Sequence, residues 1–211
     1  MINIQIFAVN PFQENSYVLF DETKQCVIID PGFSTSSEQQ QLINFIEKNN
    51  LVPKRLINTH CHIDHVLGNK FVADTFGLEL EANELEISVL ASGEKVSHMY
   101  GIPYEQSPDI QKFLAEGDTI EFGNSKLSIL FCPGHSPGSL VFYNAEQKFA
   151  IGGDVLFYGS IGRTDLPGGH HETLINSIKT KLMVLPGDVE VYPGHGPKTT
   201  IEFEKNNNPF L

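Results

Sequence analysis

The chain has 211 residues, with 14 Lys or Arg against 26 Asp or Glu, a formal charge of −12, and 40% hydrophobic residues. That length fits one domain able to bury its own core. So acidic a balance speaks against polyanions and anionic membrane surfaces as partners, because both are gripped by clustered Lys and Arg. Eight His stand against three Cys (Cys26, Cys61 and Cys132) with no CxxC pair, and the N-terminus carries neither a basic segment nor a long apolar run. These features predict a reduced, cytoplasmic protein without a disulfide framework, signal peptide or membrane span.

Residues 2–9, 15–20 and 25–30 are rich in Ile, Val and Phe and are separated by Asn10-Pro11 and Asp21-Glu22, which predicts a meander of strands. A helix follows: Ser36 and Ser37 precede Gln39 and Gln40 at capping-box spacing, and Leu42, Phe45 and Ile46 share a face. Residues 55–58 read as a short strand, 66–76 as a helix stopped by Gly77, and 84–99 as a helix with Gly93 inside it. The β pattern returns at 119–122, 126–132, 139–143 and 148–151. A helix presenting Leu174, Ile175, Ile178 and Leu182 and a strand at 189–192 precede a tail with Asn206-Asn207-Asn208-Pro209. Runs of strands broken by helices, without strict alternation, imply an α/β protein whose sheets pack on each other with helices outside.

The densest chemistry is His60-Cys61-His62-Ile63-Asp64-His65, three imidazoles and a carboxylate between a predicted strand and a predicted helix. In extended backbone His60 and His62 point the same way. Asp64 and His65 then fall at the helix N-terminus, where Asp64 can also act as a cap. Three later strand ends run into Pro133-Gly134-His135, Gly152-Gly153-Asp154 and Pro193-Gly194-His195, each setting a glycine beside a ligand-type side chain. Neutral imidazole with carboxylate suits zinc or iron. His60, His62, Asp64, His65, His135, Asp154 and His195 are too many for one tetrahedral zinc and suit two cations sharing a carboxylate and a water. Two divalent cations bring a bridging water towards ionisation at neutral pH, and Asp64 is placed to orient the resulting nucleophile. His98, His170, His171, Cys61 and Cys132 lie outside this pattern.

In order and spacing these residues resemble the metallo-β-lactamase superfamily over essentially the whole chain, with Asp30 before Pro31-Gly32 matching its structural aspartate. The resemblance implies a four-layer αβ/βα sandwich in one domain, 1–211, with the site at one edge between the sheets. Within the superfamily the chain is similar to the glyoxalase II-like (hydroxyacylglutathione hydrolase-like) hydrolases, through Asn10-Pro11-Phe12-Gln13-Glu14-Asn15, Gly159-Ser160-Ile161-Gly162-Arg163-Thr164-Asp165 and Asn207-Asn208-Pro209. That similarity implies one metal on His60, His62 and His135, another on Asp64, His65 and His195, and Asp154 as the bridge. The metals would be two Zn2+, or alternatively Fe or a mixed Fe/Zn centre. It further implies a thioesterase acting on a glutathione-like thioester, a small molecule, with Arg163 as a substrate contact.

The helical C-terminal domain that helps glyoxalase II enzymes bind glutathione has no counterpart in the sequence, and a tyrosine expected two residues after Arg163 is Asp165. Persulfide dioxygenases are similar over the same stretch and supply the alternative reading, one iron on His60, His135 and Asp154. A true β-lactamase lacks the bridging aspartate, and a nuclease needs a basic patch that −12 does not provide. No nucleic-acid or membrane partner is expected, and the protein is expected as a monomer or small homo-oligomer.

Overall fold

The computed structural model describes residues 1–211. The predicted meander forms as β1 (Asn3–Val9), β2 (Glu14–Phe20) and β3 (Gln25–Ile29), paired antiparallel. Helix α1 (Ser36–Asn49) then returns the chain so that β4 (Val52–Ile57) lies parallel to β3. Short helices α2 (Ile63–Val66) and α3 (Asn69–Phe76) lead to β5 (Leu80–Ala82), a 3-10 turn (Glu84–Glu86), α4 (Ile87–Ala91), α5 (Gly93–Tyr100) and β6 (Ile110–Phe113). These strands make one six-stranded sheet in chain order.

The second six-stranded sheet begins with β7 (Thr119–Phe122), β8 (Ser125–Phe131), β9 (Leu140–Asn144) and β10 (Phe149–Gly153), all antiparallel neighbours. After a hairpin of β11 (Leu156–Phe157) and β12 (Ser160–Ile161), helix α6 (His171–Ser177) runs into one π-helical turn (Ile178–Leu182). Strand β13 (Glu190–Pro193) joins β10 in parallel, β14 (Thr199–Thr200) closes the edge, and α7 (Ile201–Asn207) ends the fold.

Alternation along each strand sorts the core into layers. Tyr17, Leu19, Val27, Ile29 and Ile57 face inward and pack against Ile120, Leu127, Ile129, Phe142 and Ile151 of the second sheet. The intervening Val18, Cys26, Ile28 and Leu56 face outward onto Leu42, Ile46 and Val72 of the helices. On the far side Leu174, Ile178 and Leu182 cover Val141, Ala150 and Val191. This is the expected helix–sheet–sheet–helix sandwich. No helix is long and apolar enough to cross a membrane, and all three cysteines are free and buried.

Several local expectations are corrected. The cap of α1 is Thr35, not Ser36 or Ser37: its hydroxyl accepts from the Glu38 N–H at 3.3 Å, and the Glu38 carboxylate accepts the Thr35 N–H at 2.9 Å. Glu38 prevails over the glutamines because its charge sits in the positive field of the first turn, and it also takes the Asn10 N–H at 2.7 Å, tying the helix to the β1–β2 turn. The helix expected over 66–76 is two helices, because the chain turns at Gly68 to donate its N–H to the Pro31 carbonyl at 2.7 Å. The one expected over 84–99 breaks at Ser92, and Gly93 opens the next helix. Strands β5, β6, β11, β12 and β14 and helix α7 have no counterpart among the predicted elements; β5, β11, β12 and β14 span only 3, 2, 2 and 2 residues, too few to show a period.

Candidate metal centre

Parallel pairing decides where the site lies. Strands β3 and β4 run side by side in one sheet, β10 and β13 in the other, and their carboxyl ends meet at one edge of the sandwich. Asp30 and the 58–65 segment emerge from the first pair; Asp154 and His195 emerge from the second. The start of β2 crosses the same edge: the Asn15 N–H donates to the Gly194 carbonyl at 2.7 Å, and its amide donates to Pro193 and Gly196 carbonyls at 3.0 and 2.9 Å.

All seven candidate ligands come together there. His62 Nδ1 lies 2.9 Å, and His60 Nε2 3.2 Å, from His135 Nε2. Asp64 Oδ2 lies 3.0 Å from His195 Nε2 and 3.8 Å from His65 Nε2. Asp154 stands between the two groups, with Oδ1 3.3 Å from His65 Nε2 and Oδ2 3.5 Å from His135 Nε2 and 3.6 Å from His195 Nε2. Asp64 does not cap its helix: His62 holds the N-cap position without a side-chain cap bond, and Asp64 sits in the first turn facing His195.

The outward ring nitrogens explain which nitrogens face in. His135 Nδ1 meets the Arg163 carbonyl at 2.7 Å and His195 Nδ1 the Phe12 carbonyl at 3.1 Å, so in both rings Nδ1 must carry the proton. His65 Nδ1 donates to Asp30 Oδ2 at 3.1 Å. The Thr59 hydroxyl gives its proton to Asp30 Oδ2 at 2.6 Å and can only accept from His60 Nδ1 at 3.1 Å. Four imidazoles are thus held as the same tautomer with the Nε2 lone pair turned inward, the usual outer support of metal-binding histidines. Asp30 also accepts the Thr59 N–H at 2.7 Å, so its closeness to His60 and His65 is that of an outer partner rather than a third ligand group.

The residues present fit divalent cations. His65 Nε2 and Asp154 Oδ1 are buried without a hydrogen-bond partner, and the inward lone pairs of His60 and His135 oppose each other at 3.2 Å. Such an arrangement is costly unless a positive charge lies between the donors. Burial and the neighbouring imidazoles hold His60 well below its usual range and push His62 down to about 4. Burial also opposes a charge on His65, yet Asp154 and Asp64 outweigh it and raise His65 well above its usual range, so Nε2 draws positive charge, either a proton or a cation that takes the proton's place. The site is tight as well: a Cβ on Gly194 would fall 2.1 Å from Asp154 Oδ1 and 2.7 Å from His65 Cε1.

Arg163 divides between backbone and side chain. Its carbonyl orients His135, whereas its guanidinium is exposed and makes a bidentate pair with Asp165 at 2.7 and 2.7 Å. Phe12 and Tyr100 meet edge to face at 5.3 Å, and the Phe157 ring lies 6.2 Å from that of His195. His170 caps α6 by accepting the Thr173 N–H at 3.2 Å. Sequence reasoning missed Thr59, Asn58 and the buried Glu14. Asn58 donates to the His65 carbonyl at 3.0 Å, and burial pushes the Glu14 carboxyl up, with Oε1 unpaired. The Phe12 and Arg163 carbonyls carry no side-chain signal to read.

The profile of the metallo-beta-lactamase superfamily matches residues 9–195. The Haemophilus influenzae protein named hydroxyacylglutathione hydrolase GloC is 41% identical over 213 residues, covering 100% of this chain and 98% of its own. Among solved structures, the BLEG-1 B3 metallo-beta-lactamase superimposes with a TM-score of 0.89 at 36% identity, covering 100% of this chain and 99% of that one. TTHA1623, solved in a di-iron-bound form, gives 0.88 at 34%, covering 98% and 100%. The chain belongs to the metallo-beta-lactamase superfamily and is a metallo-hydrolase.

Proposed function

We propose that this superfamily member hydrolyses the thioester of a small, glutathione-like thiol at a dinuclear metal centre. The observation that carries the reading is Asp154 standing within 3.3–3.6 Å of donors from both groups of ligands. His60, His62 and His135 would hold one cation, Asp64, His65 and His195 the other, and Asp154 would be shared. When bound, such cations supply an activated water at neutral pH and a Lewis acid for the thioester carbonyl.

The chain's own groups do the rest. The carbonyls of Phe12 and Arg163, with Asp30 and Thr59, keep four imidazoles in one tautomer and orientation before substrate arrives. Asp64 Oδ2, 3.0 Å from His195 Nε2, is the acceptor that orients the attacking water. Arg163 and Asp165 stand exposed, offering a cation and an anion to the polar end of a thiol carrier. A thiolate leaves readily, so no strong general acid is required. Imidazole and carboxylate donors accept zinc, iron or a mixed pair. Three buried, unpaired thiols accord with a cytoplasmic location. Identity to a hydroxyacylglutathione hydrolase over nearly the full length of both chains supports the substrate class.

The test pairs metal analysis of protein purified without chelator with S-lactoylglutathione hydrolysis. About two cations per chain with turnover is the expected result. A single iron, with oxygen uptake on glutathione persulfide and no hydrolysis, overturns the reading.

A further inference from the structure

Glu86 is fully buried at the end of the 3-10 turn after β5, away from any aqueous counter-ion. Its carboxylate takes three donors. Oε1 accepts the Ser136 hydroxyl at 2.6 Å and the Gly138 N–H at 2.6 Å; Oε2 accepts the Cys61 N–H at 2.7 Å. Cys61 lies between His60 and His62, and Ser136 directly follows His135. The turn that carries Glu86 is itself anchored: Asn83 caps it by accepting the Leu85 N–H at 3.0 Å and donates its amide to the Leu114 carbonyl at 2.9 Å.

We propose that Glu86 is a positioning residue that sets the spacing of the His60, His62 and His135 group by tying its two loops to one buried carboxylate. The inference rests on the proposed reading that this group holds a cation. Every histidine of the group is a chain neighbour of a Glu86 donor, whereas Asp64, His65, Asp154 and His195 make no hydrogen bond to Glu86. The tie therefore acts on one cation position and not the other. A carboxylate suits it because all three partners donate. An amide in its place sets an NH2 against the N–H of Cys61 or, flipped, against that of Gly138.

The test is cobalt titration of metal-free protein, followed by visible absorption, with His62→Ala and His195→Ala marking which binding step belongs to which group. Glu86→Gln is expected to weaken the step lost in His62→Ala by about 10–100-fold and to leave the step lost in His195→Ala unchanged. Ser136→Ala removes one of the three donors and should weaken the same step by less; it decides the matter if Glu86→Gln does not fold. Equal weakening of both steps, or no change in either, overturns the inference. Because no substrate enters the assay, failures separate. Wild-type protein binding fewer than two cobalt ions breaks the functional reading, while two ions bound alike in wild type and variant break only the role of Glu86.

Discussion

The two halves of the sandwich hold their share of the site by different means. The first half uses buried side chains: Asp30 accepts from Thr59 and His65, Thr59 from His60, and Asn58 braces the His65 carbonyl. In the second half the ligand rings are oriented by backbone carbonyls, His135 by Arg163 of the same half and His195 by Phe12 reaching across from the β1–β2 turn, and glycines bring the chain close to its neighbours. Gly134 has φ of 131°, and a Cβ there would lie 2.3 Å from the Leu174 backbone nitrogen. The contrast teaches that one half should be sensitive to groups removed and the other to groups added.

Asp154 leaves the second half but faces both groups of candidate ligands, and should give the largest effect. Asp154→Ala is expected to lower kcat/KM by about 10³-fold or more and to reduce metal content with it; full metal content with normal turnover would contradict the shared position. Asp30→Ala strips the acceptor from four buried donors, the Asn58 amide, the Thr59 N–H and hydroxyl, and His65 Nδ1. Its loss should cost about 3 kcal/mol of stability, read as a fall in Tm on the order of 6–12 °C for a chain of this size. A melt within a degree of wild type would show that the first half does not depend on its side-chain network.

Gly194→Ala is the mirror experiment. Its Cβ displaces Asp154 or His65, and a misplacement of about 1 Å should lower kcat/KM by about 10²-fold with a smaller effect on the melt than Asp30→Ala. A variant that melts early yet keeps full turnover would erase the contrast. Thr35→Ala, whose hydroxyl contacts none of the candidate ligands, should cost about 1 kcal/mol in a urea melt and leave turnover unchanged.

What could be read from the sequence follows the same division. His60 to His65 are legible because their side chains carry the chemistry within six residues, and the Pro-Gly-His and Gly-Gly-Asp turns because they stop clear strands. The strands β1–β3 and β7–β10 are legible from their apolar, β-branched and aromatic content between turn residues rather than from alternation, since β2, β3, β9 and β10 are buried on both faces. Strands such as β5 and β14 are too short to show a period and exist because a neighbour supplies their hydrogen bonds. Glu86 was read only as part of a long helix, since nothing local marks a carboxylate whose partners lie 25, 50 and 52 residues away. The expected caps, Ser36 with Gln39 and Ser37 with Gln40, fall one and two residues past Thr35 and Glu38 because all three pairs have the same spacing.

The clasp between Asn15 and the Gly194 loop has a consequence for the order of events during folding. It joins residues nearly 180 positions apart, a pairing that yields no contact energy until the intervening chain has been organised. A nascent chain that has made the first sheet and its His60–His65 segment still lacks His195 and the loop that seats it. Assembly of the Asp64, His65 and His195 group is therefore a terminal step of folding, timed by the docking of the start of β2 onto the Gly194 loop.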